Sequence, residues 1–177
     1  MEQVGKKLQR IVSTKFFRAY TSSDLIGIEV GGALKNIFAI AGGIGDGLGL
    51  GDNSKAALVT RSLAEMARLG SAMGGKRETF QGLSSAGDLI VTCFSRHSRN
   101  RRVGERIGRG EKLKEILNSM QMVAEGVPTS RSARDCARRL GVATPIINEV
   151  YSILYEHASP AEAMERLLSR ELRPEQD

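Results

Sequence analysis

The sequence has no tryptophan, and aromatic residues make up only 5% of it. Its core must therefore be aliphatic and alanine-rich, which favours helices over sheets. Only two cysteines occur, Cys93 and Cys136. That excludes a disulfide framework or a cysteine metal site, and leads us to expect a reducing compartment: the cytoplasm, with the plastid stroma as the variant. The two histidines, His97 and His157, are far apart and without a partner pattern, so no metal ligand set is expected. No signal peptide or membrane span is expected: the longest apolar stretch is broken by Lys35 and ends in a run containing Asp46 and Asp52. Nowhere does a strand lead into G-x-G-x-x-G, so a dinucleotide phosphate loop is lacking. There is no internal repeat and no low-complexity linker.

What is present describes an ordinary globular chain. Its 177 residues are 41% hydrophobic and 26% charged, enough for one domain with a real core. The formal charge of +6 points to an anionic partner, either a phosphorylated metabolite or nucleic acid.

The chain is organised around residues 26–53, IGIEVGGALKNIFAIAGGIGDGLGLGDN. Val30, Leu34, Ile37, Phe38, Ala41 and Ile44 recur at helical spacing and give one apolar face. Lys35 lies off that face, with Gly31, Gly32 and Ala39 one turn away and Gly42 two turns on. Asn36 stands beside it, with Gly32 and Gly43 along its own row. Each helical glycine costs up to about 1 kcal/mol relative to alanine, so several together imply the close approach of a helix, a backbone or a ligand. Lys35 has two readings: a lysine that snorkels to water among packing glycines, or a functional amine in a partly dry pocket suited to acid–base work.

Around this stretch the pattern predicts an all-α bundle from residue 24. Residues 1–12 form an amphipathic basic segment with Val4, Leu8, Ile11 and Val12 on one face, and the alternation over 16–20 predicts a strand. Thr21, Ser22, Ser23 and Asp24 supply N-cap chemistry. After the glycine-rich turn GIGDGLGLGDN come helices over about 54–69 (ended by Gly70 and Gly74-Gly75), 113–120, 129–140, 146–157 and 160–168. Residues 78–87 form a short helix and turn, residues 89–92 are buried, and Ser95 to Arg102 is a polar loop leading into 103–107. Gly141 caps one helix and Ser159-Pro160 opens the last. The tail frays from Arg173.

Three groups could carry chemistry. Asp88, at the head of an apolar run, could pair with Lys35 or simply cap a helix. Ser98, Arg99 and Asn100 place a hydroxyl, a guanidinium and an amide in a row near a helix start, a donor set suited to phosphate. The arginines from Arg96 to Arg109 could instead be a solvated face or a nucleic-acid surface, but no aromatic platform accompanies them and nucleic acid is not expected.

These residues sit in longer runs: GGALKNIFAIAGGIGDGLGLGDNSKAALVTRSLAEMARLG, TFQGLSSAGDLIVTC, SRNRRVG and VAEGVPT. In that order they closely resemble the C-terminal domain of NAD(P)-dependent glycerol-3-phosphate dehydrogenases, over nearly all of residues 16–168. The resemblance implies a helical bundle like the C-terminal domain of the 6-phosphogluconate dehydrogenase superfamily over 24–172. Before it, residues 1–23 would be a helix–strand remnant of the NAD(P)-binding Rossmann domain, and residues 173–177 a frayed tail. Lys35 would be the catalytic acid–base, with Asp88 beside it. Ser98, Arg99 and Asn100 would bind glycerol 3-phosphate or dihydroxyacetone phosphate, with Asn36 and Thr92 lining the same pocket. Arg99, Val123 and Glu125 would contact NAD or NADP, most of whose contacts belong to a Rossmann domain not seen in these residues. The resemblance also implies a homodimer, and a role in supplying glycerol 3-phosphate for glycerophospholipid synthesis. The alternatives are a non-catalytic helical dimerisation or basic anion- or nucleic-acid-binding module, and a sister dehydrogenase acting on another hydroxy acid. The first would show steeply salt-dependent binding to duplex; the basic triplet argues against the second.

Overall fold

The computed structural model describes residues 2–172 and Pro174. Apart from Pro174, the expected tail lies outside the described residues. The elements are α1 (Glu2–Val12), α2 (Leu25–Gly47), α3 (Asp52–Ala72), a 3₁₀ turn (Arg77–Gln81) and a π-helical turn (Leu83–Gly87). There follow α4 (Asp88–Phe94), α5 (Arg99–Gly108), α6 (Leu113–Asn118), α7 (Gly126–Leu140), α8 (Pro145–Tyr155) and α9 (Pro160–Leu168). The all-α expectation holds.

The expected strand at 16–20 is absent, and no strand occurs among the described residues. A strand needs a partner to take its backbone hydrogen bonds, and here Phe16, Phe17 and Tyr20 are all largely exposed. The segment is tied instead to α1, where Gln9 Nε2 donates to the Ala19 carbonyl at 2.9 Å. The apolar face of α1 is likewise exposed at Val4, Leu8, Ile11 and Val12.

Helix α2 is the axis, contacting α3, α4, α5, α7 and α8. Val30, Leu34, Ile37, Phe38 and Ile44 of the expected stripe are buried, and Ala41 packs against the core. By length and composition α2 could cross a membrane, yet half of its most apolar stretch is buried inside the bundle. Asp24 caps it, accepting from Gly27 N at 2.9 Å, Lys76 N at 2.8 Å and Thr79 Oγ1 at 2.6 Å. The Thr79 hydroxyl and the Gly27 and Lys76 amides hold the Asp24 carboxyl below its ordinary range.

The glycine-rich turn begins later than the sequence pattern predicts. Residues 43–47 remain helical because they pack against α5. A Cβ on Gly43 would strike the Arg101 carbonyl, and one on Gly104 the Ile40 carbonyl. Gly47 and Gly108 meet in the same way, so the two backbones touch where side chains would hold them apart. Other boundaries shift for similar reasons. Gly70 lies inside α3, against the Phe80 ring, and Gly74, at φ +100°, comes after the helix end. Residues 99–102, expected as loop, open α5. Of residues 89–92 only Leu89 is buried. In a helix Leu89 and Cys93 share the inner face, so Ile90 and Val91 point outward.

Candidate active site

The site grows from Gly31. A Cβ there would strike the Ser85 hydroxyl, so glycine lets the π-helical turn seat close against α2 one turn before Lys35. That turn runs straight into α4, whose first residue is Asp88. A π-turn re-aims the helix that continues from it, and such turns recur at functional sites. Here Asp88 Oδ2 accepts from Lys35 Nζ in an ion pair. The other oxygen, Oδ1, lies 3.2 Å from the Thr92 hydroxyl, which also reaches the Asp88 carbonyl at 2.6 Å. The lysine side chain is 21% exposed. It is therefore held to a carboxylate, not snorkelled free into water. Gly32, its neighbour, has nothing near the place a Cβ would occupy, so the amine's surroundings are open on that side.

Asn36 and Asn100 carry the site across three helices. Asn100 Nδ2 donates to Asn36 Oδ1 at 2.9 Å, and Asn100 Oδ1 accepts from Gly126 N at 2.9 Å. Both side chains are more than nine-tenths buried. A Cβ on Gly126 would meet the Asn36 carbonyl, so glycine is required for α7 to approach. The bridge fixes the starts of α5 and α7 beside the middle of α2.

At the start of α5 the Ser98 Oγ accepts from Arg101 N at 3.2 Å, which caps the helix and leaves its hydroxyl hydrogen free to donate. The Arg99 guanidinium is exposed, and its Nη1 donates to the Val123 carbonyl at 3.2 Å. Val123 is 69% exposed, and Glu125, just before α7, is exposed as well. Arg99 and Val123 thus share an edge, with Glu125 next to the bridged Gly126. The structure brings the predicted residues together in two linked sets: Lys35, Asp88 and Thr92, and Ser98, Arg99, Val123 and Glu125, joined through Asn36 and Asn100. An exposed edge with Arg99 donors to spare is a donor set suited to one flank of a nucleotide.

Three supports are not legible in the sequence pattern. Asp46 receives Lys55 Nζ at 2.8 Å and Arg101 at 2.6 Å, locking α2, α3 and α5 together one residue from Asn100. Glu65 and Gly126 are the other two. Only the clustering of Asp46 and Lys55 around the GDN turn hints at the first. The arginine run is not a free basic face: Arg101, Arg106 and Arg109 are ion-paired with Asp46, Glu105 and Glu111. Burial pushes the Cys93 thiol up to about 12, which leaves it unreactive.

The chain is similar to known proteins in both sequence and fold. A glycerol-3-phosphate dehydrogenase [NAD(P)+] of Syntrophotalea carbinolica is 53% identical over 99% of this chain and 53% of its own length. One of Geobacillus kaustophilus is 53% identical over 99% of this chain and 51% of its own. The crystal structure of glycerol-3-phosphate dehydrogenase from Coxiella burnetii superposes with a TM-score of 0.90 at 42% identity, covering 96% of this chain and 52% of that one. That of the Saccharomyces cerevisiae enzyme gives 0.82 at 27% identity, covering 90% and 47%. The chain spans about half the length of the curated relatives it matches. Residues 24–165 match the family described as NAD-dependent glycerol-3-phosphate dehydrogenase C-terminus, and the chain belongs to that family.

Proposed function

We propose that this chain is the substrate and acid–base half of an NAD(P)-dependent enzyme interconverting glycerol 3-phosphate and dihydroxyacetone phosphate. The observation that carries the reading is the Lys35–Asp88 pair, held by Thr92 on one side and linked through Asn36 and Asn100 to the Ser98-Arg99 start of α5. Bound NAD(P)H supplies the hydride for C2 of the ketone. The Lys35 ammonium donates a hydrogen bond to the C2 oxygen and then its proton, as negative charge develops there. In the reverse direction neutral Lys35 takes the C2 hydroxyl proton. Asp88 orients the amine and offsets its charge. Ser98 and Arg99 bind the phosphate, Arg99 as a fork, and so fix which carbon lies beside Lys35. Asn100, with one amide hydrogen still free, positions both sets.

Two parts of the proposal rest on the resemblance alone: a homodimer of the whole enzyme, and a role in supplying glycerol 3-phosphate for glycerophospholipids. The test joins the chain to the N-terminal half of one of its relatives. The fusion should oxidise NAD(P)H with dihydroxyacetone phosphate, while the 177 residues alone should not. A folded fusion with no turnover would refute the reading, and its sedimentation would test the dimer.

A further inference from the structure

Away from the Lys35 site, an apolar cavity of about 500 Å³ opens between α2, α3, α8 and α9. That volume lies in the range small-molecule pockets occupy, about 300–1,000 Å³. Its walls are aliphatic: Leu48, Leu50, Leu58, Val150, Ile153 and Leu167 line it. Polar groups line it at several levels: Ser54 and Lys55 lie near Leu50, where Asp46 holds the Lys55 ammonium at 2.8 Å. Arg61, Glu65 and Arg68 come after Leu58 along one face of α3, and Arg170 joins them. Leu50 lies just before the N-terminal end of the same helix. From Leu58 to Arg68 the helix rises about 15 Å. The cavity is therefore long: toward Leu48 and Leu50 the lining cation, Lys55, is paired with Asp46, while Arg68 and Arg170 lie at the opposite end.

Neither Arg68 nor Arg170 forms an ion pair with the described residues. Glu65 is the nearby acid, but its hydrogen bonds go to Ile146 N at 3.0 Å and Ile147 N at 2.9 Å and to neither arginine. Glu149 is engaged by Arg166 at 2.6 Å. Arg68 reaches only the Ala143 carbonyl, at 3.4 Å, and its Nε is buried with no hydrogen-bond partner. Native proteins leave few buried donors unpaired, and each asks for an explanation. Arg170 forms no hydrogen bond or ion pair with the described residues, yet lies near enough to Glu65 to feel its charge, as Arg68 does.

We propose that this cavity binds a single-chain aliphatic carboxylate, its acid group on Arg68 and Arg170 and its tail running along α3 toward Leu48 and Leu50. A carboxylate would give the accessible Arg68 Nη and Arg170 donors a charged acceptor, stronger than the long 3.4 Å contact Arg68 makes with the Ala143 carbonyl. The tail would cover half-buried aliphatic walls. The site is separate from the proposed redox chemistry and stands or falls apart from it.

Titration calorimetry of the 177-residue chain with hexanoate, octanoate, decanoate and decanol, each below its micelle concentration, tests this. Saturable one-to-one binding is expected. Each added methylene should tighten it about three- to fourfold, and decanol should bind at least about tenfold more weakly than decanoate. Arg170→Gln changes an exposed residue, so the fold should survive, and it should weaken decanoate while leaving decanol unchanged. Arg68→Gln should do the same more strongly. No saturable binding, equal affinity for decanoate and decanol, or an Arg170→Gln chain that binds decanoate like the parent would overturn the proposal. So would amide NMR shifts on decanoate binding that map away from α3, α8 and α9.

Discussion

Asn100 donates to Asn36 while its own amide oxygen accepts from Gly126 N, so one buried side chain ties together α5, α2 and α7. Its neighbours in sequence are the residues that should touch substrate and cofactor. Asn36 comes after Lys35, Asn100 after Arg99, and Gly126 after Glu125. The amide bridge thus sets the spacing between Lys35 and the Ser98-Arg99 start of α5, a spacing the surface side chains could not hold by themselves.

Replacing Asn100 by alanine should cost stability beyond the lost bonds, because Asn36 Oδ1 and Gly126 N would remain buried without partners. At about 1–3 kcal/mol for each of the two stranded groups, we expect a loss of about 2–6 kcal/mol in urea unfolding. Asn100→Asp should retain the Gly126 bond and lose the donation to Asn36. An Asn100→Ala chain as stable as the parent would show that the bridge is not what holds α7 in place.

The glycines divide into two kinds, and alanine should separate them. At Gly104 a Cβ meets the backbone of α2, which cannot move aside as a side chain could. Gly104→Ala should destabilise by about 1–3 kcal/mol, the scale of overpacking. At Gly32 there is open space, so Gly32→Ala should stabilise the helix by about 0.5–1 kcal/mol. Yet Gly32 lies beside the Lys35 site, and in the fusion the same change should raise the KM for dihydroxyacetone phosphate if substrate approaches there. Thermal melts and steady-state kinetics on the same proteins decide both halves.

The sequence already held α2, its stripe and its suspicious lysine, because a 3.6-residue period survives whatever packs around it. It also showed that something must come close to the glycines, but not what, since a glycine reports space and not its occupant. The occupants are a π-turn at Gly31 and α5 at Gly43 and Gly47. The Lys35–Asp88 pair spans 53 positions, and without the resemblance Asp88 could equally have been a cap. The strand expected at 16–20 failed because alternation describes a face without supplying a partner. Glu65 was invisible because its role depends on backbone amides 81 and 82 residues away.

Glu65 should make stability depend on pH. It is fully buried and takes the place of a side-chain cap at the N-terminus of α8, where Thr144 caps nothing. Burial outweighs the two amides and raises its pKa from 4.5 to about 7. A raised pKa means that the folded state favours the protonated acid. The contribution is therefore complete below about pH 4.5 and is lost as pH rises through about 7. Over that window stability should fall by about 3 kcal/mol, at about 1.4 kcal/mol per unit. Glu65→Gln should flatten the slope of urea midpoints between about pH 5 and 8 while lowering the midpoint at about pH 5. A native-like slope in Glu65→Gln would assign the dependence to other groups.

Lys35 carries the sharpest test. If it were a solvated surface lysine, Lys35→Met would change stability by no more than about 0.5 kcal/mol and leave the fusion active. The ion pair with Asp88 predicts the same fold but a loss of activity. Methionine keeps the length and helix propensity but removes the amine, leaving Asp88 with only Thr92. Because Asp88 is partly exposed, water can solvate the freed carboxylate, so the fold should survive and melt near the parent. The proton for the C2 oxygen would then have no donor, and kcat in the reductive direction should fall by about 10²-fold or more. Asp88→Asn should keep the amine and lose its orientation, giving a smaller loss. The ordering is the diagnostic: Lys35→Met most damaging, Asp88→Asn intermediate, Thr92→Val least, with all three folded. A folded Lys35→Met fusion turning over at the parent rate would remove Lys35 from the mechanism.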